Sequence, residues 1–518
     1  MLPQKSNKVP SARQTVRNIV FMWGHKVAYV ISSLVVTGIA ARFYGLEEMG
    51  VWILATTMAT YVALLDFGAA SALPRILPRL LSDGRHSEAS RLVSCAFLLG
   101  AGVSLIGMLV IFSGGVGGAQ LLLGEGAGAG HYDILAVAVV AALAGLPLKV
   151  GYGLLATANR FDIYFGVDLA GVIFRLALVL LVVLEWRLGI FVFAVVAVLP
   201  PLLTNIIQYY LGVRQVGLPI TFSGLSRASV YELMSHTGAS LLLTFSAMLL
   251  AQGSTLAAAK LGMASVSAFA IPLMLVTQAV SFSGSLGALV TPVVSSLSVA
   301  KEQELADVVV GAISSSASMS VPIVVALFFA GPAFVHWWLG TGKEEHASMQ
   351  QLLWNLQFLS IGAFFVGPAS AVRGVLLGAG RHWGSAFSEL SSAVFGLGVG
   401  LALLQSTTLG VSALAVGVSV GFMARLAIAA SLLKMKIRLS PFDLAMSIFK
   451  PSGLLLLSIG APTVIFGFPG AQSALHTLMA QVVVGGTIWA IGTWWFVLTP
   501  SMRNILVNKI RKTYNRET

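Results

Sequence analysis

Apolar residues run along this chain in some fourteen stretches of about twenty or more, each closed by a short polar or glycine-rich break. A helix needs about twenty mostly apolar residues to cross a bilayer. The pattern predicts helices near 19–43, 47–74, 92–113, 132–155, 161–184, 188–211, 235–257, 266–297, 308–330, 351–373, 383–405, 409–433, 443–467 and 476–499. All breaks are short, which leaves no room for a soluble catalytic domain on either side.

Composition gives the same class. Of 518 residues 57% are hydrophobic and only 10% charged, at a mean hydropathy of +0.90, whereas a soluble domain carries about 25% charged residues. The chain is an all-α polytopic membrane protein. Cys95 is its only cysteine, so no intramolecular disulfide and no cysteine metal cluster form, and Cys95 packs within the third segment. No metal, cofactor or catalytic residue is indicated.

Charge sets the topology. About 21 of the 31 Lys and Arg fall in the termini and loops of one side, including Arg75 to Arg91, Arg214 with Arg227, Lys434 to Arg438 and Arg503 to Arg516. The other side holds about four: Arg42, Arg187, Lys260 and Lys343. Basic loops stay in the cytoplasm, so both termini are expected there, with an even number of crossings. The start reads as an uncleaved tail, the net charge of +12 as topology rather than nucleic-acid binding. The glycine-rich stretch 113–130 reads as an outward loop, and Trp337, Trp338, Trp494 and Trp495 as interfacial anchors.

An internal repeat appears at an offset of about 217 to 221 residues. Tyr44-Gly45-Leu46 falls on Leu261-Gly262-Met263, Gly153-Leu154-Leu155 with Arg160 falls on Gly374-Val375-Leu376 with Arg381, and Asp168 meets Glu389. Six crossings return the chain to its starting side, so the copies are expected as parallel bundles with a cavity between them and alternating access by rocking. The organisation expected is a tail (1–18), two six-helix bundles (19–225 and 226–433) related by a pseudo-twofold axis, two accessory helices (434–499) and a basic tail (500–518).

Six cations interrupt the apolar segments: Lys26, Lys149, Arg175, Arg373, Arg425 and Lys450. A charge at mid-helix costs about 2.5–3.5 kcal/mol on insertion scales, so each needs water, a partner or a ligand. Lys26, Lys149, Arg175 and Arg373 read as the lining of a cationic cavity for an anion, with Arg175 the deepest and least able to reach the surface. Arg425 and Lys450, nearer helix ends, read as snorkelling. Asp66, Asp168 and Glu389 lie at similar depth and read as ion-pair partners or ion-coupling carboxylates. His25 and His236 open the first and seventh segments and read as packed or interfacial residues.

Arg42-Phe43-Tyr44-Gly45, Gly50-Val51-Trp52, the stretch from Tyr61 to Gly68, Arg75, Arg79 and Glu88, together with Arg373-Gly374-Val375-Leu376-Leu377-Gly378-Ala379-Gly380-Arg381, resemble the multidrug, oligosaccharidyl-lipid and polysaccharide (MOP) exporter superfamily, in its branch of Wzx-type O-antigen flippases. The resemblance implies movement of an undecaprenyl-diphosphate-linked oligosaccharide, a surface-polysaccharide or lipopolysaccharide repeat unit, across the bacterial inner membrane. Polysaccharide polymerase and chain-length machinery are the partners it implies.

The residues suit that cargo. A sugar diphosphate brings about two negative charges for Lys and Arg to bind. With the cytoplasm negative, moving two such charges outward gains about 4.6 kcal/mol per 100 mV. Gly340-Thr341-Gly342-Lys343 lacks the first glycine of a phosphate loop, so ion or potential coupling is expected rather than ATP. A drug or cation exporter would want acidic, aromatic walls, and a membrane polymerase or glycosyltransferase a larger outward loop. A peptidoglycan-precursor lipid is a further alternative cargo.

Overall fold

The computed structural model describes residues 12–66, 68–123, 129–218, 221, 229–231, 233, 238–296, 302–340, 346–434, 441–467 and 475–497. His236 and the tails beyond these bounds lie outside the described residues. The chain divides into two compact units, Met1–Met248 with Ala258–Ser267, and Leu249–Ala257 with Ala268–Thr518.

The first unit holds α1 (Ala12–Val62), α2 (Ala69–Ser82), α3 (His86–Leu123), α4 (Ala129–Gly145), α5 (Val150–Thr157), α6 (Phe161–Leu180) and α7 (Ile190–Val216). Helices α8 (Gly238–Ala259) and α9 (Met263–Ser296) contribute to both units. The second continues with α10 (Glu302–Phe329), α11 (Gly331–Leu339), α12 (His346–Ala363), α13 (Val366–Gly378), α14 (His382–Ser406), α15 (Ser412–Lys434), α16 (Pro441–Phe466) and α17 (Leu475–Gly492). Among the described residues twelve helices are long and apolar enough to cross a membrane, thirteen if α4 and α5, bent by 41°, form one crossing. The first of these, Arg13–Asp66, holds two of the predicted segments, so every predicted segment has a helical counterpart.

The two segments of α1 meet at Gly45, whose φ of 82° and ψ of 171° are not helical. That conformation is open only to glycine. A break in a helix frees backbone groups that must find partners, and Ser267 Oγ donates to the Leu46 carbonyl at 2.6 Å. Gly45→Ala is therefore expected to cost on the order of 1–3 kcal/mol. At Gly24, on the same helix, an added Cβ meets only Leu169, at 4.0 Å, and Gly24→Ala should be neutral or stabilising by up to about 1 kcal/mol. Thermal unfolding of the two variants in one detergent separates these outcomes.

Other boundaries differ from the sequence reading. The second segment ends at Val62 rather than near residue 74: a 3-10 turn (Ala63–Asp66) follows, and Asp66 Oδ1 accepts the amide of Gly68, which is left-handed, before the amphipathic α2. The stretch expected as a loop at 113–130 is largely helix, because α3 runs on to Leu123 and no proline interrupts it. Trp338 is buried and stacked on Phe334, unlike the exposed Trp337, so it packs rather than anchors.

Burial follows lipid rather than water. Leu73, Leu77 and Leu80 of α2 pack on Leu92, Val93 and Cys95 of α3 and Leu154 of α5. In the second unit Val309 and Ile313 of α10 pack on Val372 and Val375 of α13 and Leu426 and Leu433 of α15. Meanwhile Leu105, Ile106, Leu109, Val110 and Phe112 of α3 are exposed, a face that water would oppose and hydrocarbon accepts.

The repeat is written in the backbone of each unit. Before α6, Asn159 has φ 56°, Arg160 has φ −100° and ψ 51°, and the Arg160 amide donates to Leu155 at 2.8 Å. Before α14, Gly380 has φ 74°, Arg381 has φ −91° and ψ 55°, and the Arg381 amide donates to Leu376 at 2.8 Å. Asn159 replaces glycine because asparagine tolerates the left-handed region better than other side chains.

Candidate functional site

In the first unit, polar chemistry runs along the seam of α1 and α6. At its terminal end Asp162, nearly buried, takes Arg17 at 2.6 Å, Arg160 Nε at 3.1 Å and the Gln14 amide at 2.8 Å. Its own backbone amide donates to Asn18 Oδ1 at 2.9 Å. No reading of spacing singled out Asp162; only its place at the start of α6, beside Arg160, hinted at a role. The knot holds the start of α1 on α6. Asp162→Asn should cost about 1–3 kcal/mol by loosening charge-assisted bonds. The expected sign is faster limited proteolysis near Arg13 and Arg17, with the rest of the chain still protected.

One turn and more along the seam, the His25 ring lies 5.7 Å from Phe165 and 6.1 Å from Tyr29. Asp168 on α6 accepts from Gln208 Nε2 of α7 at 2.7 Å and interacts electrostatically with His25. Tyr152 and Tyr164 cross edge to face beside it at 4.9 Å. Arg175 lies two turns beyond Asp168, fourteen residues into the 25-residue crossing Phe161–Glu185. Its Nε is buried with no hydrogen-bond partner among the described residues, and the Tyr29 phenol is within electrostatic reach. A buried guanidinium nitrogen without an acceptor is costly, and an anionic oxygen is what would complete it.

The other two candidate cations of this unit, Lys26 and Lys149, are engaged. Lys26 lies over the Trp23 ring at 5.2 Å. Lys149, at the bend between α4 and α5, donates to the Ala63 carbonyl at 3.1 Å and interacts with Asp66. That pair ties the bend to the 3-10 turn at the end of α1.

In the second unit one carboxylate faces two guanidiniums. Glu389 on α14, with a side chain only 4% exposed, is paired by Arg425 Nε of α15 at 2.7 Å and more loosely by Arg373 of α13 at 3.5 Å. The snorkelling expected of Arg425 is overturned, because nine residues of α15 separate it from the end of the helix and its side chain is 13% exposed. It lies instead against Glu389 and the Phe422 ring. Lys450 on α16 is exposed. Among the described residues no group of three or more His, Cys, Asp or Glu is placed to hold a metal ion.

Each unit thus sets a carboxylate on one helix and answers it from the next. In α6 and α7 the pair is Asp168 with neutral Gln208; in α14 and α15 it is Glu389 with cationic Arg425. Among the described residues Arg175 has no carboxylate paired with it, and Arg373 is held only loosely, by Glu389 at 3.5 Å.

No protein-family model and no curated protein matches the chain in sequence. Solved structures do match its fold. An inward closed conformation of the lipid II flippase MurJ is similar at 12% identity with a TM-score of 0.66, covering 92% of this chain and 98% of MurJ. An inward-facing multidrug-resistance MATE transporter of the MOP superfamily is similar at 15% identity and 0.65, covering 81% of this chain and 98% of the transporter. The eukaryotic MATE transporter AtDTX14 is similar at 16% identity and 0.55, covering 85% and 99%. The chain is a multi-pass membrane protein with the fold shared by MurJ and the MATE transporters of the MOP superfamily.

Proposed function

We propose that this chain is a flippase of the MOP type, which moves an oligosaccharide linked to a polyprenyl diphosphate from the cytoplasmic to the outer leaflet by alternating access. The observation that carries the reading is Arg175, a cation set at mid-crossing whose buried Nε has no hydrogen-bond partner among the described residues. A diphosphate supplies the missing oxygens and the charge. Lys26 and Arg373 are the further cations for capture and release. Asp168, beside His25 and with a neutral partner, is the carboxylate open to ion coupling, whereas Asp66 and Glu389 serve as ion-pair partners.

Two features support a lipid cargo over a drug. The fold of MurJ, a lipid II flippase, accounts for 92% of the chain against 81–85% for the MATE transporters, and the chain carries α16 and α17 beyond its two repeats. A surface-polysaccharide repeat unit is the cargo that the sequence resemblance favours. A peptidoglycan-precursor lipid is the second reading, favoured by MurJ's own substrate. In either case the chain works in a bacterial inner membrane with both termini cytoplasmic, is not an enzyme, and hands its product to polymerising machinery outside.

Leaflet-resolved detection of lipid-linked oligosaccharide in cells depleted of the protein and then restored tests this. Accumulation on the cytoplasmic leaflet, cleared by restoration, is the expected result. The chemical identity of the accumulated lipid separates the two cargoes, and unchanged sidedness with altered polymer length would replace the flippase by a polymerisation factor.

A further inference from the structure

Among the described residues Glu389 is the one carboxylate placed against Arg373 and Arg425, and it cannot neutralise both. The geometry allots it to Arg425, at 2.7 Å against 3.5 Å for Arg373. Exposure agrees, because the Arg425 side chain is enclosed at 13% and lies against the Phe422 ring, while that of Arg373 is 43% exposed. The triad therefore carries a net charge of +1, and the surplus sits at Arg373.

We propose that Arg425 is a positioning residue: by occupying Glu389 it leaves the Arg373 guanidinium available as a docking group for a phosphate-bearing anion. The proposal rests on the flippase reading and adds to it the site of the second unit and the division of labour within it. A guanidinium takes two phosphate oxygens at once when no carboxylate competes for the same face. Without Arg425, Glu389 has one cation left within reach and draws it inward, which closes the anion site from inside. The first unit provides the contrast. There the neutral side-chain amide of Gln208 answers Asp168, so no carboxylate is shared between two guanidiniums.

Binding of farnesyl diphosphate to the full-length protein in nanodiscs, followed by native mass spectrometry across a variant cycle, tests the proposal. Arg425→Gln is expected to weaken binding by about tenfold. Adding Glu389→Gln to it, which removes the competitor, should bring binding back to within about threefold of the native chain, with the melting temperature of Arg425→Gln read beside it: weakened binding in a variant that melts like the native chain is what a merely structural role for Arg425 does not produce. Arg373→Gln should lose binding in both backgrounds. A double variant as weak as Arg425→Gln, with both proteins monodisperse and helical, overturns the proposal, as does a native chain that does not take the probe. Should Arg425→Gln fail to accumulate, Glu389→Gln alone decides: binding at least as tight as native supports the proposal, and weaker binding overturns it. A cycle that behaves as expected in a chain that moves no lipid-linked oligosaccharide keeps the anion site and removes the transport reading. Transport without the cycle does the reverse.

Discussion

Arg175→Ala abolishes export while the protein still accumulates in the membrane: this is the expected result at the site with most at stake. The native guanidinium has a buried Nε with no acceptor, so the folded chain already bears the cost of desolvating a charge. Removing such a group relieves that cost, and thermal stability in detergent should hold or rise. If an anionic cargo supplies the missing acceptor during transport, the loss falls on function alone. Truncating one partner of a desolvated charge pair typically costs about 2–5 kcal/mol, or roughly 30-fold to several thousand-fold in binding. Arg175→Lys keeps the charge but not the planar fork, so partial export is expected. Leaflet-resolved export assayed beside membrane yield and melting temperature reads all three effects. Native export by Arg175→Ala removes the residue from the site, and a large drop in stability means that the protein itself uses the charge.

The opposite balance of stability and function is expected where a charge has a partner, and this explains what could be read from the chain and what could not. The crossings were legible because apolar length is a property of one segment, and every predicted segment has a helix. One register point of the repeat was legible too: the backbones of the Arg160 and Arg381 turns agree. Arg425 was misread because depth along a helix says nothing about which neighbour faces a side chain. Glu389 lies on a different helix, and only packing brings them to 2.7 Å. Lys149 shows the same limit: its acceptor is a carbonyl in a 3-10 turn 86 residues away. Asp162 escaped notice because three of its partners, Gln14, Arg17 and Asn18, sit in the polar start of α1, which reads as a tail. Arg175 is the counterexample, since a cation at mid-crossing is conspicuous in sequence whatever surrounds it.

The largest structural effect is expected from a side chain placed between α14 and α15. A Cβ placed on Gly396 would lie 2.7 Å from Gly421 Cα and 2.8 Å from the Gly417 carbonyl oxygen, and one on Gly417 would lie 2.5 Å from Gly400 Cα. Every one of these obstacles is backbone, so no rotamer change relieves the clash and the helices must move apart. In a bilayer the contact is held by close van der Waals approach, because lipid offers no hydrophobic drive to replace it. The same pair of helices carries Glu389 and Arg425, so separation also opens the buried ion pair, whose loss costs about 3–5 kcal/mol when one charge is stranded. Gly396→Leu should therefore leave little folded protein. Gly398 is the control on the same helix, two residues on, with nothing within 4 Å of an added Cβ. Gly398→Leu presents its side chain to open space and gains helix propensity, for a stability change between zero and about +1 kcal/mol. Membrane yield and detergent melting of the two variants form a direct comparison. Equal behaviour would mean that α14 and α15 do not cross at the Gly396, Gly417 and Gly421 contact, and with that crossing would go the geometry that brings Arg425 to Glu389.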